Sequence, residues 1–143
     1  MERVSEDFGE IGRSSLEMMF ALHGTAKVLV LVFEQDGIVT VQRVLIEGEE
    51  DAEKLHAALL YTIAELIRIL DVPELFVGYE GFYLVEDMAV RILIGTLYSD
   101  DEERVWMVQT HGSTIGEWQD ISGNRDRCGF EGLWKEAKAY RWN

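Results

Sequence analysis

The most regular pattern of apolar and polar positions lies in the middle of the chain and predicts a long helix. Between Asp51 and Asp71, leucine and isoleucine recur every three or four residues, which is the spacing of one helix face. Acidic residues just before this segment favour a helix N-terminus through the helix dipole, and Pro73 ends the helix. The apolar arc covers roughly 200° of the helix, wider than one sheet can cover, so a second helix or a second subunit should pack on the rest. The candidates for a dimer face on this arc are Leu60, Ile67 and Ile69.

Strand patterns lie on both sides of this helix. The segment 28–46 is divided by Asp36-Gly37, a dipeptide typical of a tight hairpin turn because both turn positions need positive φ. Residues 28–33 are apolar on both faces, as expected for a strand covered on both sides, whereas Arg43 indicates a bulge or an edge position in the second strand. After the helix, residues 75–87 predict two short strands or one strand with a glycine bulge. The segments that follow, to His111, predict a second antiparallel hairpin.

The two ends of the chain predict shorter helices. Ser14 and Glu17 form a capping box, which predicts a short helix over 15–23, preceded by an acidic segment, 1–13, that is a candidate for mobility. At the other end, an aromatic and basic loop-helix segment spans 112–143. Its helix is predicted from apolar residues at helical spacing, namely Phe130, Leu133, Trp134, Ala137 and Tyr140.

Together these elements predict a single α+β domain over residues 1–143, in the order α-ββ-α-ββ(β)-α. We expect a mostly antiparallel sheet of 4–5 strands with one long helix packed on it. The element order resembles that of roadblock and longin domains, which often dimerise through such elements. The resemblance implies a homodimeric scaffold or adaptor as an alternative function.

Charge changes the picture more than any motif does. The 143 residues include 13 Lys and Arg against 27 Asp and Glu, a net charge of −14. The excess of acidic residues is confined to residues 1–103, which include 7 basic and 22 acidic residues. Residues 104–143 include 6 basic and 5 acidic residues. Such a chain repels phosphate backbones and anionic lipid, so we expect no direct nucleic-acid or membrane binding, and a basic protein becomes the favoured partner.

The compartment is predicted from what the sequence lacks. The N-terminus has no hydrophobic run of the kind a signal peptide carries, and the longest apolar run, 28–33, is too short for a membrane span. Cys128 is the single cysteine, so no internal disulfide forms. A cytoplasmic protein is the expectation.

Catalytic and cofactor motifs are sparse. The three histidines lie in separate elements without metal-ligand spacing, and His56 is expected to be a half-buried packing residue with a hydrogen-bonded neighbour. No glycine motif has the spacing of a dinucleotide or phosphate loop, so no cofactor is predicted. A nucleophilic Cys128, activated by Arg125 and Arg127 with His111 as base, is the enzymatic alternative.

The segment 111–130 shows no strand or helix pattern and is interpreted as a loop folded back on the domain. Its anchors would be Ile115, Trp118, Ile121 and Phe130. Because Trp and Arg supply many interface hot spots, aromatic and basic residues here, with an acidic run, form the predicted partner surface. Its members are Trp118, Arg125, Arg127, Trp134, Tyr140, Trp142, Asp100, Asp101, Glu102 and Glu103.

The favoured function is non-catalytic: an acidic protein that engages and inhibits or masks a basic protein partner. Immunity proteins, antitoxins and phage-encoded inhibitors of host nucleic-acid machinery share this profile of small size, strong acidity and absence of catalytic motifs. The partner could then be a nucleic-acid-binding enzyme whose basic face is covered.

Overall fold

An antiparallel sheet forms the middle layer of the protein, with helices on both of its faces. The structure is a computed structural model that describes residues 4–23, 27–46, 52–112, 114–123 and 132–141. The elements are α1 (Val4–His23), β1 (Lys27–Gln35), β2 (Ile38–Ile46), α2 (Ala52–Leu70), β3 (Glu74–Val85), β4 (Met88–Ser99), β5 (Glu103–His111), β6 (Thr114–Ile115), β7 (Gln119–Asp120) and α3 (Leu133–Lys138).

The sheet has the order β2-β1-β3-β4-β5-β6, and β7 also pairs with β5, at Trp106 and Met107. The described pairings are all antiparallel, which confirms the α+β class with a mostly antiparallel sheet. Two details of the prediction were wrong. Within the described residues the sheet holds two short strands besides five long ones, and two helices rather than one are long, with 20 residues in α1 and 19 in α2.

Two cores separate the three layers. On one face, α1 packs on alternate residues of the strands, including Val30, Phe76 and Leu93. On the other, α2 and α3 pack on the intervening residues, such as Leu31 and Val77. Strand β1 supplies both cores, as its apolar pattern predicted, because it has helices on either side.

Helix α1 corrects the capping-box prediction. It begins at Val4 rather than near Ser15, and Ser14 lies within it. Phe8 and Leu16 both belong to the core between α1 and the sheet, and both are at most 1% exposed. Burial of this longer face outweighs the local capping signal, and Glu17 instead accepts a hydrogen bond from the indole of Trp118. Residues 4–13 are therefore helical, while the mobility predicted for 1–13 stays a prediction.

The first hairpin forms as predicted. Asp36 and Gly37 have φ of 52° and 80°, the positive values that a tight two-residue turn requires. Pairing continues without interruption from this turn to Lys27 and Ile46, which excludes the predicted alternative of a bulge in β2. The strand order places β2 at the edge of the sheet, as the other alternative predicted.

Strand β3 is one continuous strand of 12 residues and neither of the two forms predicted for it. Gly81 pairs directly with Ile92, without a bulge. The nearby Gly78 and Gly95 pair with each other, and their missing side chains leave room for the ring of Phe76. A Cβ on Gly95 would lie 2.5 Å from a ring carbon of Phe76, so the glycine serves packing rather than a bend.

The wide apolar arc of α2 is covered by the sheet and by a second helix. Leu133, Trp134 and Ala137 of α3 are buried in the same core as Leu59 and Ile63 of α2. The sequence predicted that either a second helix or a second subunit would cover this arc, and the structure shows a second helix, α3.

The predicted dimer-face residues on α2 differ in exposure. Leu60 and Ile67 are partly buried against the core, whereas Ile69 is 65% exposed. His56, also on α2, is half-buried, and its Nε2 lies 3.1 Å from an oxygen of Glu136, as expected for a packing residue with a hydrogen-bonded neighbour.

The segment after β5 corrects the prediction of a loop without strands. It runs antiparallel along β5 through β6 and β7, which at two residues each are too short to give a periodic pattern. Ile115 and Trp118 pack on the α1 side of the sheet, and Ile121 packs on the α2 side. Three of the four predicted anchors therefore hold this segment to the domain, and Phe130 lies outside the described residues.

In the portions of the chain that the structure describes, none of the helices combines the length and apolar character needed to traverse a bilayer.

Candidate functional site

Carboxylates from three parts of the sequence meet at one end of the sheet. Phe33 pairs with Leu75 and Glu74 pairs with Ser99, so the end of β1, the start of β3 and the β4–β5 turn are neighbours. We call this region the acidic end. Its carboxylate residues are Glu34, Asp36, Asp71, Glu74, Asp100, Asp101, Glu102 and Glu103.

Two carboxylates of the acidic end influence a third, that of Glu74. Glu74, the first residue of β3, is buried with 9% exposure. Burial raises the pKa of its carboxyl group, and the negative charges of Glu102 and Glu34 raise it further. The ionised form of Glu74 is therefore disfavoured by its burial and by these two neighbours.

A cleft of about 640 Å³ lies between the β4–β5 turn and α3. Trp134, Lys135 and Lys138 from α3 form one wall, and residues 99–103 form the other. The indole Nε1 of Trp134 donates a hydrogen bond of 2.9 Å to Asp100, and Nζ of Lys138 lies 2.7 Å and 2.9 Å from the two oxygens of the same carboxylate. These hydrogen bonds lower the pKa of Asp100.

The turn is also fixed to the residue that precedes α3. The backbone N–H of Gly132 donates to Glu103 over 3.0 Å, and within the turn the backbone N–H of Glu102 donates to the hydroxyl of Ser99 over 3.2 Å. These hydrogen bonds join the turn to α3 and engage the carboxylates of Asp100 and Glu103.

Asp101 and Glu102 are the remaining carboxylates in the turn. Among the described residues, neither has a Lys, Arg or His nitrogen within the 4.0 Å of an ion pair. Asp36, in the neighbouring hairpin turn, is also exposed. This arrangement of exposed or half-exposed carboxylates can bind a cationic group.

The predicted partner residues are only partly brought together. The run 100–103 and Trp134 line the cleft. Tyr140 instead packs edge-on against Tyr61 of α2, with ring centroids 6.2 Å apart. Trp118 packs on the α1 side of the sheet, where it bonds Glu17. Arg125, Arg127 and Trp142 lie outside the described residues.

Sequence reasoning missed half of the acidic end. Glu34, Asp36, Asp71 and Glu74 are scattered in the sequence, and only the strand order places them beside the β4–β5 turn. The available signal was position, because each lies at or next to the end of a predicted strand or helix. Lys138, which holds Asp100, was also missed.

The described residues hold no group of three or more His, Cys, Asp or Glu side chains arranged to bind a metal ion. His111 is exposed at the end of β5, and its proposed companion, Cys128, lies outside the described residues. The enzymatic alternative therefore stays a prediction.

No protein-family model matches the chain, and neither the curated proteins nor the solved structures include a match to it.

Proposed function

We propose that this protein is a non-catalytic binding protein whose acidic end engages a basic protein and masks or inhibits it. The observation that carries the proposal is the convergence of carboxylates from three strand ends beside the Trp134 cleft. A group of like charges at one end of a sheet focuses its field there, which steers a cationic partner and orients it on arrival.

The cleft supports a specific contact in addition to steering. A Lys or Arg side chain of the partner would lie against the carboxylates of Asp101 and Glu102 at the mouth of the cleft. Arg is the better fit, because its planar guanidinium forms paired hydrogen bonds with carboxylates. Asp100, already bound to Lys138 and Trp134, serves to hold the cleft in shape.

The class of partner follows from the charge. Enzymes that bind nucleic acid present a basic face that neutralises phosphates, and an acidic protein placed on that face excludes the substrate. An immunity protein, an antitoxin or a phage-encoded inhibitor would work in this way.

The proposal is tested by co-purification from an extract of the cells in which the protein occurs. The bait variant carries Asp36→Asn, Asp101→Asn and Glu102→Gln, which removes three exposed or half-exposed charges from the acidic end. We expect the wild-type protein to retain a partner with a basic isoelectric point, and the variant to lose it. Retention should also fall steeply between about 50 and 300 mM salt, because the exposed charges are screened over shorter distances at high salt.

The matched control removes the same charge elsewhere. Glu86→Gln, Asp87→Asn and Glu117→Gln alter exposed carboxylates away from the acidic end. This control should retain the partner. An acidic partner, or equal retention by both variants, would contradict the proposal.

A homodimeric scaffold is the second candidate, because α2 presents Ile69 with 65% exposure and Tyr61 with 46% exposure. Light scattering at micromolar concentration distinguishes the two candidates. A dimer mass that Ile69→Lys converts to a monomer mass would support the scaffold, and a monomer mass for the wild-type protein would remove it.

A further inference from the structure

The α1 side of the sheet holds two arginines at one tryptophan, which is unexpected in so acidic a protein. Trp106, on β5, is 7% exposed. The guanidinium carbon of Arg13 lies 4.4 Å from its ring centroid, and that of Arg104 lies 4.9 Å away. Both arginines line the same cleft of about 260 Å³, together with Glu10 and Trp106.

The backbone of α1 makes this arrangement possible. A Cβ on Gly9 would lie 3.0 Å from Cη2 of Trp106 and 3.4 Å from a guanidinium nitrogen of Arg13. Without that side chain, the indole packs closely against the helix, and Arg13, one turn further on, extends over the ring. The two guanidinium groups are therefore positioned by the fold.

The two arginines differ in their partners. Arg104 forms an ion pair of 3.1 Å with Asp120. Arg13 has no carboxylate within ion-pair distance among the residues that the structure describes. Its own burial and the charge of Arg104 lower the pKa of Arg13, and the charges of Glu10, Glu17 and Asp120 oppose this effect. A further negative group bound beside Arg13 would compensate for the cost of burying its positive charge.

We infer that the cleft formed by Arg13, Arg104 and Trp106 is a binding site for a carboxylate group. A carboxylate matches the planar fork of a guanidinium with two parallel hydrogen bonds. Its single charge balances Arg13, whereas a dianionic phosphate would meet stronger repulsion from Glu10 and Asp120. A volume of about 260 Å³ suits a small acid or one acidic side chain.

This site stands independently of the proposed function, since it uses other residues on another part of the surface. The carboxylate could belong to a free metabolite or to a Glu or Asp side chain of a bound protein. Both sources share the same chemistry, and separate probes distinguish them.

The test is an NMR titration of the full chain at neutral pH, in which sodium chloride is exchanged for sodium acetate at constant ionic strength. We expect saturable shifts of the Trp106 indole N–H and of the Arg13 side-chain N–H signals. A parallel titration uses N-acetylglutamate α-amide, whose only carboxylate is that of a Glu side chain. Tighter binding of this probe than of acetate indicates a protein side chain as the ligand, and the reverse indicates a small free acid.

Variants locate the binding. Arg13→Gln should weaken the binding of the tighter probe about tenfold, in keeping with the loss of one bidentate pair. Arg13→Lys should weaken it as well, because lysine keeps the charge and loses the fork. Arg43→Gln, a change at an exposed arginine of β2, should leave binding unchanged.

Three results would overturn the inference: shifts that do not saturate, equal affinity in the Arg13→Gln and wild-type proteins, or tighter binding of inorganic phosphate than of both carboxylate probes. A preserved amide spectrum of Arg13→Gln shows that this variant is folded. If it is not preserved, the same titration of Arg104→Gln decides, with the same expected loss.

Discussion

The ring of Phe76 is packed between α1 and the sheet so tightly that a single methyl group should disrupt it. A Cβ added to Gly12 would lie 2.1, 2.3 and 2.4 Å from three ring carbons of Phe76. An ordinary contact begins at 3.4 Å, so the ring or the helix would have to move by more than roughly 1 Å. The ring cannot retreat towards the sheet, because it already lies against Gly78 and Gly95.

Two effects of Gly12→Ala oppose each other. Replacing a helical glycine by alanine gains about 1 kcal/mol of helix propensity. Overpacking a closed core costs typically about 1–3 kcal/mol, and the distances at this site correspond to the upper end of that range or beyond it. We therefore expect Gly12→Ala to lower the free energy of unfolding by about 2 kcal/mol, which shifts a urea midpoint by about 1 M.

Urea unfolding followed by circular dichroism measures this change. Gly123→Ala is the matched control, since Gly123 lacks a positive φ and a Cβ there would meet no atom of the described residues within 4 Å. It should change stability by less than about 0.5 kcal/mol. In a Phe76→Leu background the clash is relieved, so Gly12→Ala should cost less there than in the wild-type protein. An equal cost in both backgrounds, or a stabilised Gly12→Ala protein, would refute this account of the packing.

Three further predictions concern groups in the described structure. The NMR signal of the Trp134 indole N–H should titrate with Asp100 at a pH below the usual aspartate pKa of about 3.9, because the hydrogen bonds from Lys138 and Trp134 lower the pKa of Asp100 in the folded state. Lys138→Gln removes one of these hydrogen bonds and should raise the midpoint. The stabilising effect of the two hydrogen bonds is lost as the pH falls through the folded-state pKa. Glu74→Gln should raise the free energy of unfolding at neutral pH, because the raised pKa of Glu74 means that its ionised form destabilises the folded state. This gain in stability should disappear below the usual glutamate pKa of about 4.3, where Glu74 is protonated in both states. Urea midpoints at neutral and acidic pH measure the difference. Thr96→Val should raise the free energy of unfolding by about 1 kcal/mol in the same assay, because the hydroxyl of Thr96 is buried without a hydrogen-bond partner in the described structure.

Each of the three has an outcome that would contradict it. For Asp100, it is an unchanged midpoint in the Lys138→Gln protein. For Glu74, it is a stability gain that does not depend on pH. For Thr96, it is a loss of stability as large as that of Thr110→Val, in which a hydroxyl that donates to the Arg91 carbonyl oxygen is removed.

Elements with a strong local signal could be predicted from the sequence. The Asp36-Gly37 turn requires positive φ at both positions, and α2 has a long apolar period ended by Pro73, so both were predicted with bounds close to those observed. The start of α1 could not be predicted in this way. Phe8 and Gly12 gain their stabilisation only from contact with the sheet, which a local capping signal does not reveal.

The same distinction applies to the candidate site. The run 100–103 is visible as an acidic turn, and Trp134 as a helical aromatic. Their meeting in one cleft, and the addition of Glu34 and Glu74, depends on the order β1-β3-β4-β5 in the sheet. Likewise, Arg13 and Arg104 are 91 residues apart in the sequence and meet only because α1 packs on β5 through Trp106.

The central claim is that the acidic end is one coherent negative surface that selects cationic partners. It is tested most directly by mapping, with NMR, where a cationic probe binds on the protein. A peptide of ten arginines is titrated into the full chain at low salt, and amide shifts are followed across the described residues. The account predicts the largest shifts at the β4–β5 turn, at Asp36 and at Trp134, and their loss in the variant that removes Asp36, Asp101 and Glu102 charges. Equal or larger shifts at the Glu86-Asp87 turn at the other end of the sheet would contradict it.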